Sequence, residues 1–181
     1  MEILNDEVVY DGKYRQFIKR HYVDRLGGRR VWEMVKGKAP GAALIVAITP
    51  EREIVLEKTF RVPCKAWVVE LPAGLIDPGE EDEAAARREL LEETGYAADK
   101  FELLTKGTYN PALTADRGFF FLARDARYVA EPKLEATEEI EIVKVPLGGL
   151  FEYLIAEKNI IVDQKIFLIL PFLAKRGLIK F

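Results

Sequence analysis

Residues 71–96 read LPAGLIDPGEEDEAAARRELLEETGY, eight carboxylates in 26 residues, framed by Gly74, Gly79 and Gly95. The pattern predicts a helix over Glu81–Thr94. Asp77-Pro78-Gly79 turns the chain before it, and Gly95 stands where a left-handed cap ends it. At about 100° per residue, Glu89, Glu92 and Glu93 share an arc of about 100°. Leu90, Leu91 and Thr94 fall opposite, where they are expected to pack on a sheet. Ala85 falls inside the acidic arc, where its methyl is expected to leave space between carboxylates. Like charges spaced three and four residues apart repel by about a few tenths of a kcal/mol per pair. No lysine lies between Ala66 and Ala98 to offset them, and Arg87 and Arg88 are the only cations there. Arg88, four residues before Glu92, is expected to hold it in one rotamer. Two readings stand: a solvated acidic face, or oxygen ligands for a hard cation such as Mg²⁺ or Mn²⁺.

Outward from this helix, the chain reads as a mixed α/β layered domain. Residues 7–37 alternate apolar and polar around Asp11-Gly12 and Gly27-Gly28, which predicts two or three antiparallel strands. Ala42–Ile48 and Glu53–Glu57 read as a hairpin around Thr49-Pro50. Further strands are expected at Ala66–Leu71, Phe101–Tyr109, Gly118–Ala123 and Ile140–Val145. Helices are expected at Leu147–Lys158 and Val162–Arg176. Residues 1–38 thus form a strand-rich appendage, and 39–181 the main domain.

Composition narrows the chemistry. The 181 residues carry a net charge of −3, which offers no basic footprint for nucleic acid. There is no serine, and His21 is the only histidine, so a Ser-His-Asp hydrolase is excluded. Cys64 is the only cysteine, which fits a reducing cytoplasm and excludes Cys/His zinc sites by count. The acidic N-terminus is not a signal peptide, and the apolar run Ile166–Ala174 is too short to span a bilayer. The chemistry is left to carboxylates, Lys, Arg, Tyr or a hard cation.

The order of residues then carries a resemblance. Gly74, Glu80, Arg88-Glu89-Leu90, Glu92-Glu93 and Gly95-Tyr96 stand at the spacing of the box of the Nudix hydrolases, which cleave nucleoside diphosphates linked to a further moiety using divalent cations. ELPAGLID before the box, Pro111 beyond it, Phe60-Arg61 and TEEIEIVKVP (137–146) resemble the ADP-ribose pyrophosphatase group. The resemblance implies a Nudix α/β/α sandwich with an N-terminal antiparallel strand subdomain that exchanges across a homodimer with composite active sites. It implies Mg²⁺-dependent hydrolysis of ADP-ribose to AMP and ribose 5-phosphate. Other ADP-sugars, GDP-mannose, NADH or FAD are alternative substrates, and a non-catalytic ligand sensor is an alternative class. Asn110-Pro111-Ala112 lacks the glycine common after that proline, and Asp116-Arg117 replaces a usual acidic pair, so the sugar end departs most.

The residues then take expected roles. Glu89 and Glu93, one turn apart, are primary candidates to hold two or three Mg²⁺ ions, with Mn²⁺ as substitute. Glu92, steadied by Arg88, is a further ligand or bridge. The resemblance adds the Ala73 carbonyl, and it places a general base on the loop 134–141, at Glu138 with Glu139 as the neighbour in register; Glu138 would also reach the metal. Arg61 suits phosphates, because a guanidinium binds them in bidentate fashion. By the same resemblance Tyr14 and Trp32, one from each subunit, would stack adenine, and Glu33 would accept from its amino group. Glu70 would stand behind the site.

Overall fold

The computed structural model describes residues 1–156 and 161–180. The first three strands, β1 (Glu2–Asp11), β2 (Arg15–Val23) and β3 (Arg29–Gly37), form an antiparallel meander of their own. The expected strand region thus starts five residues earlier than its alternation indicates, because β1 is exposed throughout and shows no buried face to read.

The main sheet is built from β4 (Ala42–Ile48), β5 (Glu53–Arg61), β6 (Ala66–Glu70), β7 (Ala73–Leu75), β9 (Lys100–Thr108), β10 (Arg117–Arg124), β12 (Ile140–Pro146) and β13 (Ile161–Val162). β8 (Tyr96–Ala97) and β11 (Arg127–Tyr128) form a separate short pair. β4 runs parallel to β10 and antiparallel to β5, and β12 lies antiparallel along β5 from Glu53 to Thr59. The sheet is therefore mixed, with apolar strands covered on both faces.

Strand alternation sorts its side chains into two cores. Leu44, Val46 and Ile48 of β4 and Ile54 and Leu56 of β5 face one way. They pack against α2 (Leu150–Ile155) and α3 (Gln164–Lys175) through Leu150, Leu154, Ile166, Ile169 and Leu173. Ala43, Ile45, Ala47 and Val55 face the other way, onto Ala85, Ala86 and Leu90 of α1 (Asp82–Thr94). This is the α/β/α sandwich, with the period of two deciding which residues meet which helix.

Several boundaries differ from expectation for local reasons. Leu147–Gly149 is a 3-10 turn before α2, since Gly148-Gly149 weakens a helical start. The expected extension of that helix to Lys158 lies partly outside the described residues. Ile161–Val162 pairs with β6, so α3 starts at Gln164, where the Asp163 carboxylate caps the Lys165 N–H at 2.8 Å. Pro171 sits inside α3. Among the described residues, no helix is long and apolar enough to cross a membrane.

Candidate active site

α1 is an acidic helix with a buried face. Its first turn carries Asp82 and Glu83, which suit the positive end of the helix dipole. It stops at Gly95, with φ 73°, whose N–H donates to the Leu91 carbonyl at 2.9 Å. Ala85 and Ala86 bring the helix close to β4, and Leu90 and Thr94 complete the contact. Ala85 is therefore packed in the core, not a gap among the acids as its position on the wheel predicts. Leu91 is 39% exposed, so the face opposite the acids is narrower than expected.

The box glutamates fall into different environments along this helix. Glu93 is 8% exposed, and its Oε2 accepts the Ala73 N–H at 2.9 Å. Glu89 lies against Gly74, where an added Cβ would fall 1.9 Å from the Glu89 carboxyl carbon. Glycine is what allows that backbone approach. Burial pushes Glu93 up, the Ala73 N–H opposes this, and the charge of Glu89 adds to it. Burial likewise raises Glu89, with Arg88 opposing.

Arg88 corrects the wheel. Its Nε and Nη2 hold both oxygens of Glu80 at 2.9 and 2.8 Å. Its Nη1 donates to Glu89 at 2.7 Å and reaches Glu92 only at 3.3 Å. Its main partner is thus the acid at the turn before the helix, which the helical spacing does not reveal. Glu80 also accepts the Asp77 N–H at 3.0 Å. Arg88 above all, with that N–H, brings Glu80 down to about 2.

The loop after β11 returns to the site. The Lys133 N–H donates to the Glu92 carbonyl at 2.7 Å, tying the loop to the end of α1. Further on, the Glu138 carboxylate accepts the Glu135 N–H at 2.7 Å. Its charge reaches Glu89 and Glu93 and raises both. Glu139 is exposed.

One acid escaped the sequence reading. Glu57 on β5 follows Val55 on the face toward α1 and is 2% exposed. It lies within hydrogen-bonding reach of Glu93, and its Oε1 is buried without a hydrogen-bond partner among the described residues. Burial and the charge of Glu93 push it well above the usual carboxylate range. The available signal was an acid at an inward position of the apolar strand EIVLE. Arg61, expected at phosphates, is half-exposed and makes a bidentate pair with the buried Glu70 at 2.8 and 2.8 Å. Glu70 thus stands behind Arg61.

The donor set fits hard divalent cations, being carboxylates with a buried, unsatisfied oxygen among them. Among the described residues, no three acidic, His or Cys side chains converge as a preformed ion cage. Arg88 still holds Glu89, and Glu138 still caps its own loop.

The expected adenine residues are spread apart within the chain. Trp32 lines a groove of about 420 Å³ with Met34 and Pro111, and its Nε1 donates to the Ala112 carbonyl at 2.8 Å. Tyr14 lines a separate cavity beside Arg15, Asp116 and Arg117. Glu33 is exposed and, by alternation, faces away from Trp32. The N-terminal sheet docks on 110–116 through the Val35 N–H to the Leu113 carbonyl at 2.9 Å and an Arg15–Asp116 ion pair.

Comparison with known proteins agrees with this geometry. The chain is 33% identical to the ADP-sugar pyrophosphatase of Mus musculus over 91% of this chain and 84% of that protein. It is 36% identical to the ADP-ribose pyrophosphatase of Bacillus subtilis strain 168 over 71% of this chain and 69% of that one. A crystal structure of an ADP compounds hydrolase superposes with a TM-score of 0.77 and 26% identity, covering 97% of this chain and 95% of that one. Residues 38–161 match the NUDIX domain, and with box and sandwich both in place the chain belongs to the Nudix hydrolase family.

Proposed function

We propose that this enzyme hydrolyses the pyrophosphate bond of ADP-ribose, giving AMP and ribose 5-phosphate. The observation that carries the reading is the meeting of Glu89, Glu93 and the Ala73-Gly74 backbone at the buried end of α1, with Glu138 facing them from a loop. Glu89, Glu92, Glu93 and the Ala73 carbonyl would hold Mg²⁺, with two or three ions per site and Mn²⁺ as a substitute. When bound, such cations neutralise the pyrophosphate and acidify the attacking water.

The chain's own groups do the rest. Glu138 takes the proton of the water that attacks phosphorus, and the bridging P–O bond breaks as the other phosphate leaves. Glu139 is the neighbouring candidate for that proton. Arg88 keeps Glu89 and Glu92 in place, and the half-exposure of Arg61, oriented by Glu70, supports its role in holding a phosphate. The names of the relatives support an adenine-nucleotide sugar. Tyr14, Trp32 and Glu33 would then recognise adenine only when two protomers combine, which accounts for their dispersal in one chain.

Residues 1–38 are accordingly read as a dimer-exchanging subdomain, and 39–181 as the catalytic domain. The exposed apolar residues of β1, Ile3, Leu4, Val8, Val9 and Tyr10, support that reading. A reducing cytoplasm is the proposed compartment, on the strength of one exposed, unpaired cysteine, Cys64. A second reading, another nucleotide-sugar such as GDP-mannose, is favoured by the 110–116 segment. There Ala112 and Asp116 contact the N-terminal sheet, and the glycine common after Pro111 is absent.

The deciding experiment compares kcat/KM across ADP-ribose, other ADP-sugars, GDP-mannose, NADH and FAD with Mg²⁺ and with Mn²⁺. ADP-ribose is expected to lead. A preference for GDP-mannose moves the assignment to the second reading, and no diphosphate hydrolysis with either cation rejects it. Light scattering at micromolar protein tests the dimer, which a monomer would refute.

A further inference from the structure

Glu57 sits on β5, between the sheet and α1. Val55 and Glu57 share one face of the strand, while Ile54 and Leu56 enter the opposite core. An apolar residue at 57 would extend the packing begun by Val55. A carboxyl stands there instead, 2% exposed, with Oε1 lacking any hydrogen-bond donor among the described residues. The nearby cation does not supply one, because the Arg61 guanidinium is committed to both oxygens of Glu70. Nor does the Ala73 N–H, which goes to Glu93. Two carboxyls, Glu57 from the sheet and Glu93 from the helix, therefore face each other in a buried space. Such a pair is stable when a proton or a cation lies between them.

We propose that Glu57 is a carboxylate of the metal centre, facing from the sheet the divalent cation that Glu93 holds from the helix. This rests on the reading of Glu93 as a metal ligand. It adds to the helical box an anion contributed by a strand, so that the cation is held between two layers of the sandwich. The competing role is a protonated Glu57 that only donates a hydrogen bond to Glu93. A glutamine separates the two, since its amide keeps a donor of nearly the same shape and removes the charge.

The test is a titration of metal-free protein with Mn²⁺, following free Mn²⁺ by electron paramagnetic resonance, for wild type, Glu57→Gln, Glu57→Leu and Glu93→Gln. Glu57→Gln is expected to weaken Mn²⁺ binding by about tenfold or more, the scale seen when groups supporting a metal are removed. Wild-type affinity in Glu57→Gln, with Glu93→Gln impaired, overturns the role of Glu57 alone. Unchanged affinity in Glu93→Gln overturns the underlying metal reading as well. Should Glu57→Gln fail to fold, as judged by circular dichroism, Glu57→Leu is read in its place. Leu removes the buried polar group, so it is expected to melt higher than wild type without metal while binding Mn²⁺ weakly. Wild-type Mn²⁺ affinity in that variant overturns the proposal.

Discussion

Glu80 and Glu93 belong to the same acidic segment, yet the fold pushes their carboxyls in opposite directions. Glu80 stands at the turn before α1, held by the Arg88 guanidinium and the Asp77 N–H, and is brought down to about 2. Glu93 stands at the far end of the helix, buried beside Glu57 and Glu89, and is pushed up. One acid is a satisfied structural anion. The other is a charge kept where only a proton or a cation can balance it. The number of acids in a motif therefore says less than which of them is paired with a guanidinium and which is buried beside other carboxyls.

The largest effect is expected at the buried end. Glu93→Gln is expected to lower kcat by about 10⁴-fold, because it removes a charge on which the metal chemistry rests. Circular dichroism should show the fold retained, and near-normal turnover in a folded variant would remove Glu93 from the site.

Glu138→Gln comes next, with kcat falling by about 10²-fold or more while KM stays close to wild type. Performing Glu139→Gln in parallel sharpens the result. If the larger loss follows residue 139, the base lies one position along the loop.

Trp32→Ala tests the proposed adenine-recognition surface. A stacked base contributes about 1–3 kcal/mol, so KM for ADP-ribose should rise about tenfold with kcat little changed. An equal rise for GDP-mannose would argue against adenine stacking.

The smallest effect belongs to the satisfied end. The pKa of Glu80 is depressed from 4.5 to about 2. Its stabilisation is therefore complete above pH 4.5 and lost as pH falls from 4.5 toward 2. Wild type should lose melting temperature over that window more steeply than Glu80→Gln, by about 2 °C or less, because the group is close to solvent. Parallel pH profiles for the two proteins would show that Glu80 contributes nothing through its charge.

Much of this architecture is readable along the chain. The box spacing from Gly74 to Tyr96, the helix stop at Gly95, and the strands at Ala42–Ile48 and Ile140–Val145 all follow from local pattern. Arg88 illustrates the limit. Its spacing to Glu92 is visible on a wheel, but its bond to Glu80 depends on how the turn at Asp77–Gly79 folds back. Ala85 is a second case, because the wheel gives an angle and not the sheet that fills the space. For Arg61 and Glu70, antiparallel pairing of β5 and β6 brings together residues that no periodic rule connects.

The family, the acidic helix and the alternating strands are legible from the chain alone, because they depend on residues close together along it and on periods of about 3.6 and 2. Which acids are satisfied and which are buried against one another depends on contacts between segments distant along the chain. The packing of α1 over β4 and β5 set Glu57 against Glu93, and the loop after β11 brought the charge of Glu138 to bear on the same place. Desolvation and charge coupling act through space, and no spacing along a single chain encodes them.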